Sequence, residues 1–527
     1  MNENYNNEIL TIMKKLYIAI MAMSMALPSM AQETYENMKV ATEDLNGTAR
    51  YVGMGGAMEA LGADISTIGS NPAGVGLLRK SSVSMSFGLV SQQDAKDFSS
   101  GNKTNMSFDQ AGFVYSGFDG GDSWVNFGFN FHKSRNFDFI LSAVDGLGNA
   151  SQNKLTYAKA KNGLLYETVG GGVPDFNRSY ASCNQLDDIY ARNLNYDTRD
   201  NTWYYDNAWA YTLDRAHKGY VGEYDINLSG GANGKVYWGL TIGIHNVRYS
   251  HYGEYMEQLD GYQLMVSEDR EITGTGYDIK AGVIVRPIEQ SGFRIGAYIH
   301  TPTWYSLTTS NDTYVSDYPQ TTTVYGGESY DFKLYTPWKF GLSLGHTVGS
   351  MLALGATYEF SDYGSLDTRY VTDSYLDWYG DYHDRSESDD IMNRHTEKTL
   401  KGVSTLKLGA ELKATPEMAV RLGYNYVSPK YNKNGFKDGT LSTDGSYYSS
   451  ATDYTNWDAT HRITCGLGYT LGDVNLSLAY QYSTTKGDFY PFMSYVDNDF
   501  AADDNLCKSV EVNNKRHQVL FTLGYTF

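Results

Sequence analysis

The chain has 527 residues and a formal net charge of −19, from 61 Asp and Glu against 42 Lys and Arg. Aromatic residues reach 14% (46 of them Tyr) while charged residues are only 20%, a mix that argues against disorder. The acidic balance argues against nucleic acid as a partner, because phosphate contact needs a basic face. Three cysteines, Cys183, Cys465 and Cys507, form no CxxC pair. No zinc or c-type haem motif can be built from them, and neither a cofactor nor a metal is expected. A Cys183–Cys507 disulfide would need an oxidising compartment and has no support from spacing.

Residues 1–31 read as a secretory signal peptide, with Met13 as the start. Lys14 and Lys15 open it, Leu16 to Leu27 is apolar, and Ser29-Met30-Ala31 supplies small residues ahead of Gln32. This stretch is too short to cross a bilayer as a helix. Glu3 and Glu8 offset Lys14 and Lys15, so the mature chain keeps the −19 charge. No other apolar run approaches the roughly 18 residues of a membrane-spanning helix.

Residues 32–80 do not alternate. They are small and Gly-rich, with Gly53, Gly55 and Gly56 followed by Asn71-Pro72-Ala73-Gly74. About fifty such residues cannot form a stable domain alone; inside a barrel they could bury against its wall. Pro72 fixes φ and lacks a donor, Asn71 suits an Asx-turn, and Gly74 permits a reversal.

From residue 81 onward, period-two alternation dominates. It predicts fourteen strands, at about 81–91, 106–118, 123–134, 220–232, 235–249, 275–286, 292–303, 329–345, 350–360, 397–413, 418–428, 459–471, 474–484 and 514–527. One face of each strand is apolar, as in Val125, Phe127, Phe129 and Phe131. The other is Gly-, Thr- and Asn-rich and carries charges: Asp278, Lys280, Arg286, Arg294, His300, Lys339, Lys407, Glu411 and Arg421. Lipid outside and water inside explain both faces, and closure removes unpaired edges. Short turns such as Asn233-Gly234, suited to a two-residue hairpin, alternate with long polar loops. The largest loop, about 135–219, is too long to be plain, and Phe137 to Val144 could extend a strand. Asp497-Asn498-Asp499 and Asp503-Asp504 offer calcium-type oxygens, although a solvated acidic loop is the simpler reading. Cys465 falls on the lipid face. The whole reads as an all-β, fourteen-stranded antiparallel transmembrane barrel (81–527) around an N-terminal hatch (32–80).

The run from Gly56 through Ala60, Ala63, Asp64 and Ser66 to Asn71-Pro72-Ala73-Gly74, between a signal peptide and the first strand, resembles the FadL family of outer-membrane long-chain fatty-acid and hydrophobic-compound transporters. The resemblance implies a fourteen-stranded barrel with an N-terminal hatch that holds the Asn-Pro-Ala motif. It also implies passive uptake of a hydrophobic small molecule and a lateral exit through an inward kink of the third strand. Here that strand is 123–134, with Gly128 as its weak point and His132 to Asn136 as the place for a bulge. Arg286, Arg294 and Arg421 are candidate lumen contacts for a ligand carboxylate, although arginines inside barrels more often pair with carboxylates such as Asp278 or Glu411. Tyr525 and Phe527 read as the terminal signal for the barrel-assembly machinery, and outer-membrane lipid as the surrounding partner. Alternative roles are an accessory barrel for protein secretion or surface attachment (PorV-like) or a haem-binding receptor. No spacing of Ser, His and an acid singles out a nucleophile, so no enzyme is expected.

Overall fold

The computed structural model describes residues 34–318, 323–376, 382–438, 441, 443, 451–496 and 504–527. The expected signal peptide with its cleavage site, and Asp497, Asn498, Asp499 and Asp503 of the candidate calcium loop, lie outside them.

Fourteen antiparallel strands close on themselves. They are β1 (Ser82–Gln92), β2 (Thr104–Ser116), β3 (Ser123–Asn136), β4 (Ala208–Ala232), β5 (Val236–Leu259), β6 (Gln263–Val285) and β7 (Arg294–His300), then β8 (Lys339–Val348), β9 (Leu352–Asp362), β10 (Gly402–Lys413), β11 (Met418–Val427), β12 (Tyr454–Leu471), β13 (Val474–Tyr490) and β14 (Val510–Thr526). Each pairs with its neighbours in sequence order, and β14 pairs with β1 from Ser82↔Thr526 to Gln92↔Arg516. Asn233 and Gly234 both take positive φ, 54° and 59°, as a type I′ hairpin demands.

The apolar faces point outward and stay exposed, among them Val125, Phe127, Leu240, Ile242, Leu467, Phe521 and Leu523. Side chains that large would not be left uncovered on a water-facing surface in so continuous a belt. Tyr525 and Phe527 end the belt, exposed and stacked with ring centroids 6.0 Å apart. Cys465 is exposed on this outer face, and all three cysteines are free thiols.

Three strands are far longer than the alternation suggested. A bilayer takes about 9–11 residues of tilted strand, whereas β4, β5 and β6 have 25, 24 and 23. Along β5 the outward apolar run ends at Ile244, and Arg248 is exposed. Beyond it the inward face becomes apolar, with Val247, Tyr249, Tyr255 and Leu259 all buried. The strands leave the membrane and continue in water by exchanging the polarity of their faces, so a single phase of alternation does not extend past residue 249.

The outer region holds further corrections. The expected strand 329–345 is two: Thr323–Tyr335 pairs with Trp304–Tyr318 in a ribbon beyond the barrel, and β8 begins only after Pro337. The expected strand start at 397 belongs instead to a helix, Asp390–Thr399, with Asp389 as its N-cap. Within the long loop, Phe139–Gly146 forms a strand against the outer half of β4, close to the interval expected.

Candidate functional site

The segment from Thr34 to Lys80 occupies the inside of the cylinder. Its local structure is set by caps. Thr48, Asp64 and Asn71 each turn a side-chain oxygen onto a backbone N–H at the start of a short helical turn, at Ala49–Gly53, Ile65–Gly69 and Pro72–Leu77. Such caps satisfy donors that a short helix cannot.

What seats this segment is missing side chains on the wall. A Cβ at Gly239, Gly282, Gly355, Gly409 or Gly423 would lie 2.3, 2.0, 1.9, 2.3 and 2.2 Å from Pro72, Asn71, Ala57, Met54 and Gly55 respectively. Gly112, Gly128, Gly296, Gly345 and Gly466 face the segment in the same way. The inward glycines of consecutive strands thus form a band into which the inner segment fits, and Ala479, Leu520 and Thr522 continue it on β13 and β14.

Polar contacts fix the register of this fit. Asn71 is fully buried; its Nδ2 donates to the Glu59 carbonyl at 2.8 Å and its Oδ1 accepts from the Ala73 N–H at 3.2 Å. Pro72, Ala73 and Gly74 are buried with it. Gly55 and Gly56 take positive φ, 63° and 80°, where a Cβ would be strained, and Gly53 packs on Gly466. Arg50 forks onto Glu411 through Nε and Nη2, each at 2.9 Å. Lys407 on β10 reaches Glu59 at 2.8 Å.

The three arginines singled out as candidate ligand contacts all have protein partners. Arg286 lies at the short-turn end and donates to the carbonyls of Gly234, Glu289 and Ser291. Arg294 donates to the Leu61 carbonyl, at 2.5 Å. Arg421 pairs with Glu411 at 2.6 Å. None lines the cavity enclosed between the inner segment and the outer loops.

That cavity lies above the glycine band and measures about 170 Å³. Aromatic side chains form much of its lining: Tyr35 from the inner segment, Phe137 and Phe139 from the chain leaving β3, Tyr249 from β5, and Tyr431, Tyr454 and Trp457. Tyr35 stacks on Tyr431 with centroids 5.2 Å apart. Six cations, Lys39, Arg135, Arg215, Lys430, Arg462 and Arg516, face four carboxylates, Glu36, Asp44, Asp453 and Asp458. Arg215 and Asp453 form a bidentate pair at 2.7 and 2.8 Å. Lys430, half-buried just past β11, makes no ion pair among the described residues. Burial, then Arg135 and Arg462, push its ammonium down to about 7, with Asp44 opposing them.

Asp44 borders this cavity, a second of about 110 Å³ beneath it and a third of about 30 Å³ beside it. Arg135, Arg462 and Arg516 surround its carboxylate at 3.0, 3.5 and 3.9 Å. Burial alone would raise the carboxyl's pKa, but these guanidinium groups and the Asn136 N–H outweigh it and hold it far below the usual carboxylate range.

Beside Asp44 the wall is incomplete. β2 pairs with β3 only as far as Gln110↔His132, although β2 runs on to Thr104. In β3 the register against β4 shifts between Lys133 and Arg135, within the interval where a bulge was expected. The inner segment occupies the gap. The Asp44 N–H donates to the Ser134 carbonyl at 2.7 Å, and the Asn136 N–H donates to Asp44 Oδ2 at 3.1 Å. Asn46 Nδ2 donates both to Asp109 Oδ1 on β2 at 2.9 Å and to the Lys133 carbonyl on β3 at 3.2 Å. Nothing in the sequence marked Asp44 or Asn46, since their partners, backbone groups of β3 and side chains of β2, β3, β12 and β14, are brought to them only by the closed barrel.

No family model and no curated protein matches the chain. Among solved structures, a Pseudomonas aeruginosa FadL homologue is 12% identical, with a TM-score of 0.50, over 92% of this chain and 100% of that one. This chain has the FadL fold. The FadL-like barrel is also similar to the Ralstonia pickettii toluene transporter TbuX, at 12% identity and a TM-score of 0.48 over 92% and 99% of the two chains. For the Pseudomonas putida toluene transporter TodX the values are 11%, 0.46, 92% and 99%. At these identities the likeness concerns architecture, and the site of the FadL-like barrel rests on its own residues.

Proposed function

We propose that this chain is an outer-membrane channel for the passive uptake of hydrophobic small molecules. The observation that carries this reading is the gap between β2 and β3, plugged by Asp44 and Asn46 and adjoining a cavity walled by aromatic rings. A cavity of about 150 Å³ admits benzene, so 170 Å³ suits a molecule of one-ring size or a short alkyl chain. The surplus of cations over carboxylates in its lining, and the unpaired Lys430, suit a ligand that carries one acidic group. The ligand lodges under the outer loops. The inner segment acts as a hatch: Asp44 to Asn46 withdraw from β2 and β3, and the ligand leaves sideways into the bilayer. Asn71 to Gly74, gripped by wall glycines, serve as the fixed anchor of that hatch.

The test is uptake of labelled toluene, benzoate and octanoate by cells with and without the protein. A second arm uses Asn46→Cys with Asp109→Cys, at positions whose side chains hydrogen-bond at 2.9 Å, with disulfide formation verified by thiol titration before the assay. Protein-dependent uptake that stops on oxidation and returns on reduction supports the reading. Equal uptake of the whole panel with and without the protein refutes it.

A further inference from the structure

Below the upper cavity, four strands bring six ionisable side chains into one buried cluster. His132 on β3 stands opposite Glu223 on β4, Glu223 opposite His245 on β5, and Gly243 opposite both Asp225 and Asp278. Gly243 leaves the room: a Cβ there would lie 2.2 Å from Asp278 Oδ1 and 2.8 Å from Lys280 Nζ. Lys280 takes one oxygen from each carboxylate. It holds Glu223 Oε1 closely, Asp225 Oδ1 at 3.0 Å and Asp278 Oδ1 at 3.2 Å.

The other oxygens turn toward imidazoles. Glu223 Oε2 lies 3.6 Å from His132 Nε2, Asp225 Oδ2 lies 3.5 Å from His132 Nδ1, and Asp278 Oδ2 lies 3.3 Å from His245 Nε2. Asp225 is fully buried, yet its Oδ2 has no hydrogen-bond partner, and neither ring nitrogen of His245 has one. Three carboxylates against one ammonium leave two negative charges unbalanced away from bulk water. Unbalanced buried ions are costly, and a divalent cation would supply the missing charge.

We propose that His132, Glu223 and Asp225 bind a divalent transition-metal ion, with Zn²⁺ as the best fit. One imidazole nitrogen and two carboxylate oxygens, all within 4.8 Å of one another, form a donor set suited to zinc. Bonds of about 2.0–2.2 Å in a tetrahedron put neighbouring donors about 3.3–3.6 Å apart; the three donor atoms lie within 4.8 Å of one another, so the side chains draw in as the ion enters. Lys280, on the far oxygens, orients the carboxylates as an outer partner does in metal sites. The cavity of about 110 Å³ that His132 lines with Gly69 and Ser70 supplies access and room for a fourth ligand. The ion ties β3 to β4 next to the register shift at Lys133–Arg135, directly under Gly69 of the inner segment. It is thus a clamp at the base of the irregular strand.

The experiment uses the whole barrel in detergent, without a histidine tag, stripped with a chelator, loaded with ZnCl2 and washed. Metal content is read by mass spectrometry. Folding is read from the heat-dependent shift in electrophoretic mobility. One zinc per chain is expected for the natural protein. Folded His132→Gln should bind about 100-fold more weakly or worse, since loss of a mere outer partner already costs 10–100-fold. Should that variant fail to fold, Asp225→Asn replaces it, and Co²⁺ loaded into the natural protein gives a direct spectrum of a four-coordinate ion. The proposal is overturned by equal retention in the natural protein and a folded variant. It is equally overturned by a natural protein that holds no zinc and shows only aqueous cobalt, which leaves protons on His132 and His245 to balance the charge.

Discussion

Gly355→Ala puts the fit between inner segment and wall to a direct test. The new Cβ on β9 would stand 1.9 Å from the Ala57 carbonyl oxygen, so that oxygen must retreat about 1.5 Å to reach ordinary contact at 3.4 Å. Retreat is not free: Ala57 is 1% exposed, and its N–H is tied to the Met54 carbonyl at 3.1 Å. The neighbouring Gly409 meets the same stretch through Met54. Overpacking of this kind costs about 1–3 kcal/mol, which is about 5- to 150-fold in the ratio of seated to displaced inner segment. The assay replaces Ala60, buried in the seat, by Cys in a chain whose own three cysteines are removed, and follows its labelling by a polar maleimide. Gly355→Ala should speed labelling by that factor while the barrel keeps its heat-dependent mobility. Gly170→Ala, where a Cβ meets nothing within 4 Å, is the control. An unchanged labelling rate in Gly355→Ala refutes the seating argument.

Arg50→Ala should loosen the same seat by about 1.5–3 kcal/mol, the worth of hydrogen bonds to a charged group, and Arg50→Lys should restore only part of it because an ammonium cannot fork; urea unfolding in lipid, followed by tryptophan fluorescence, reads both. Lys430 titrates near 7, below its unfolded value of about 10.4. Its contribution to stability is therefore present above the unfolded value and lost as pH falls through about 7. A bound carboxylate reverses the sign, so benzoate affinity should rise about tenfold from pH 8 to pH 6. Toluene affinity should not rise, and Lys430→Met should flatten the benzoate profile; calorimetry at the two pH values decides. Cys465, exposed on the outer face of β12, should react with a membrane-soluble maleimide and not with a polar one. Preferential labelling by the polar reagent would reverse the strand's register.

Alternation alone was enough for the barrel. In a closed sheet within lipid, each wall residue faces either acyl chains or the interior, and that choice is written into its polarity, as Val125 to Phe131 and Val519 to Phe527 show. The small residues of 32–80 and the glycines of the inward faces are likewise readable as two halves of one fit, because absent side chains leave space that something must fill. Other features were settled by groups far apart in the chain. The upper halves of β4 to β6 escaped detection because their faces exchange polarity where lipid gives way to water. Which partner each lumen arginine meets was decided by the fold, which brings the Leu61 carbonyl to Arg294 and Glu411 to Arg421. The plug at the gap depends on Asp44 and Asn46 meeting backbone groups of β3 beside its register shift, and on Asn46 meeting the Asp109 side chain of β2. Side-chain polarity is local and fixes which way each residue faces, whereas the partner of a buried charge is whatever the closed sheet carries to within 3 or 4 Å of it, and only the tertiary structure decides that.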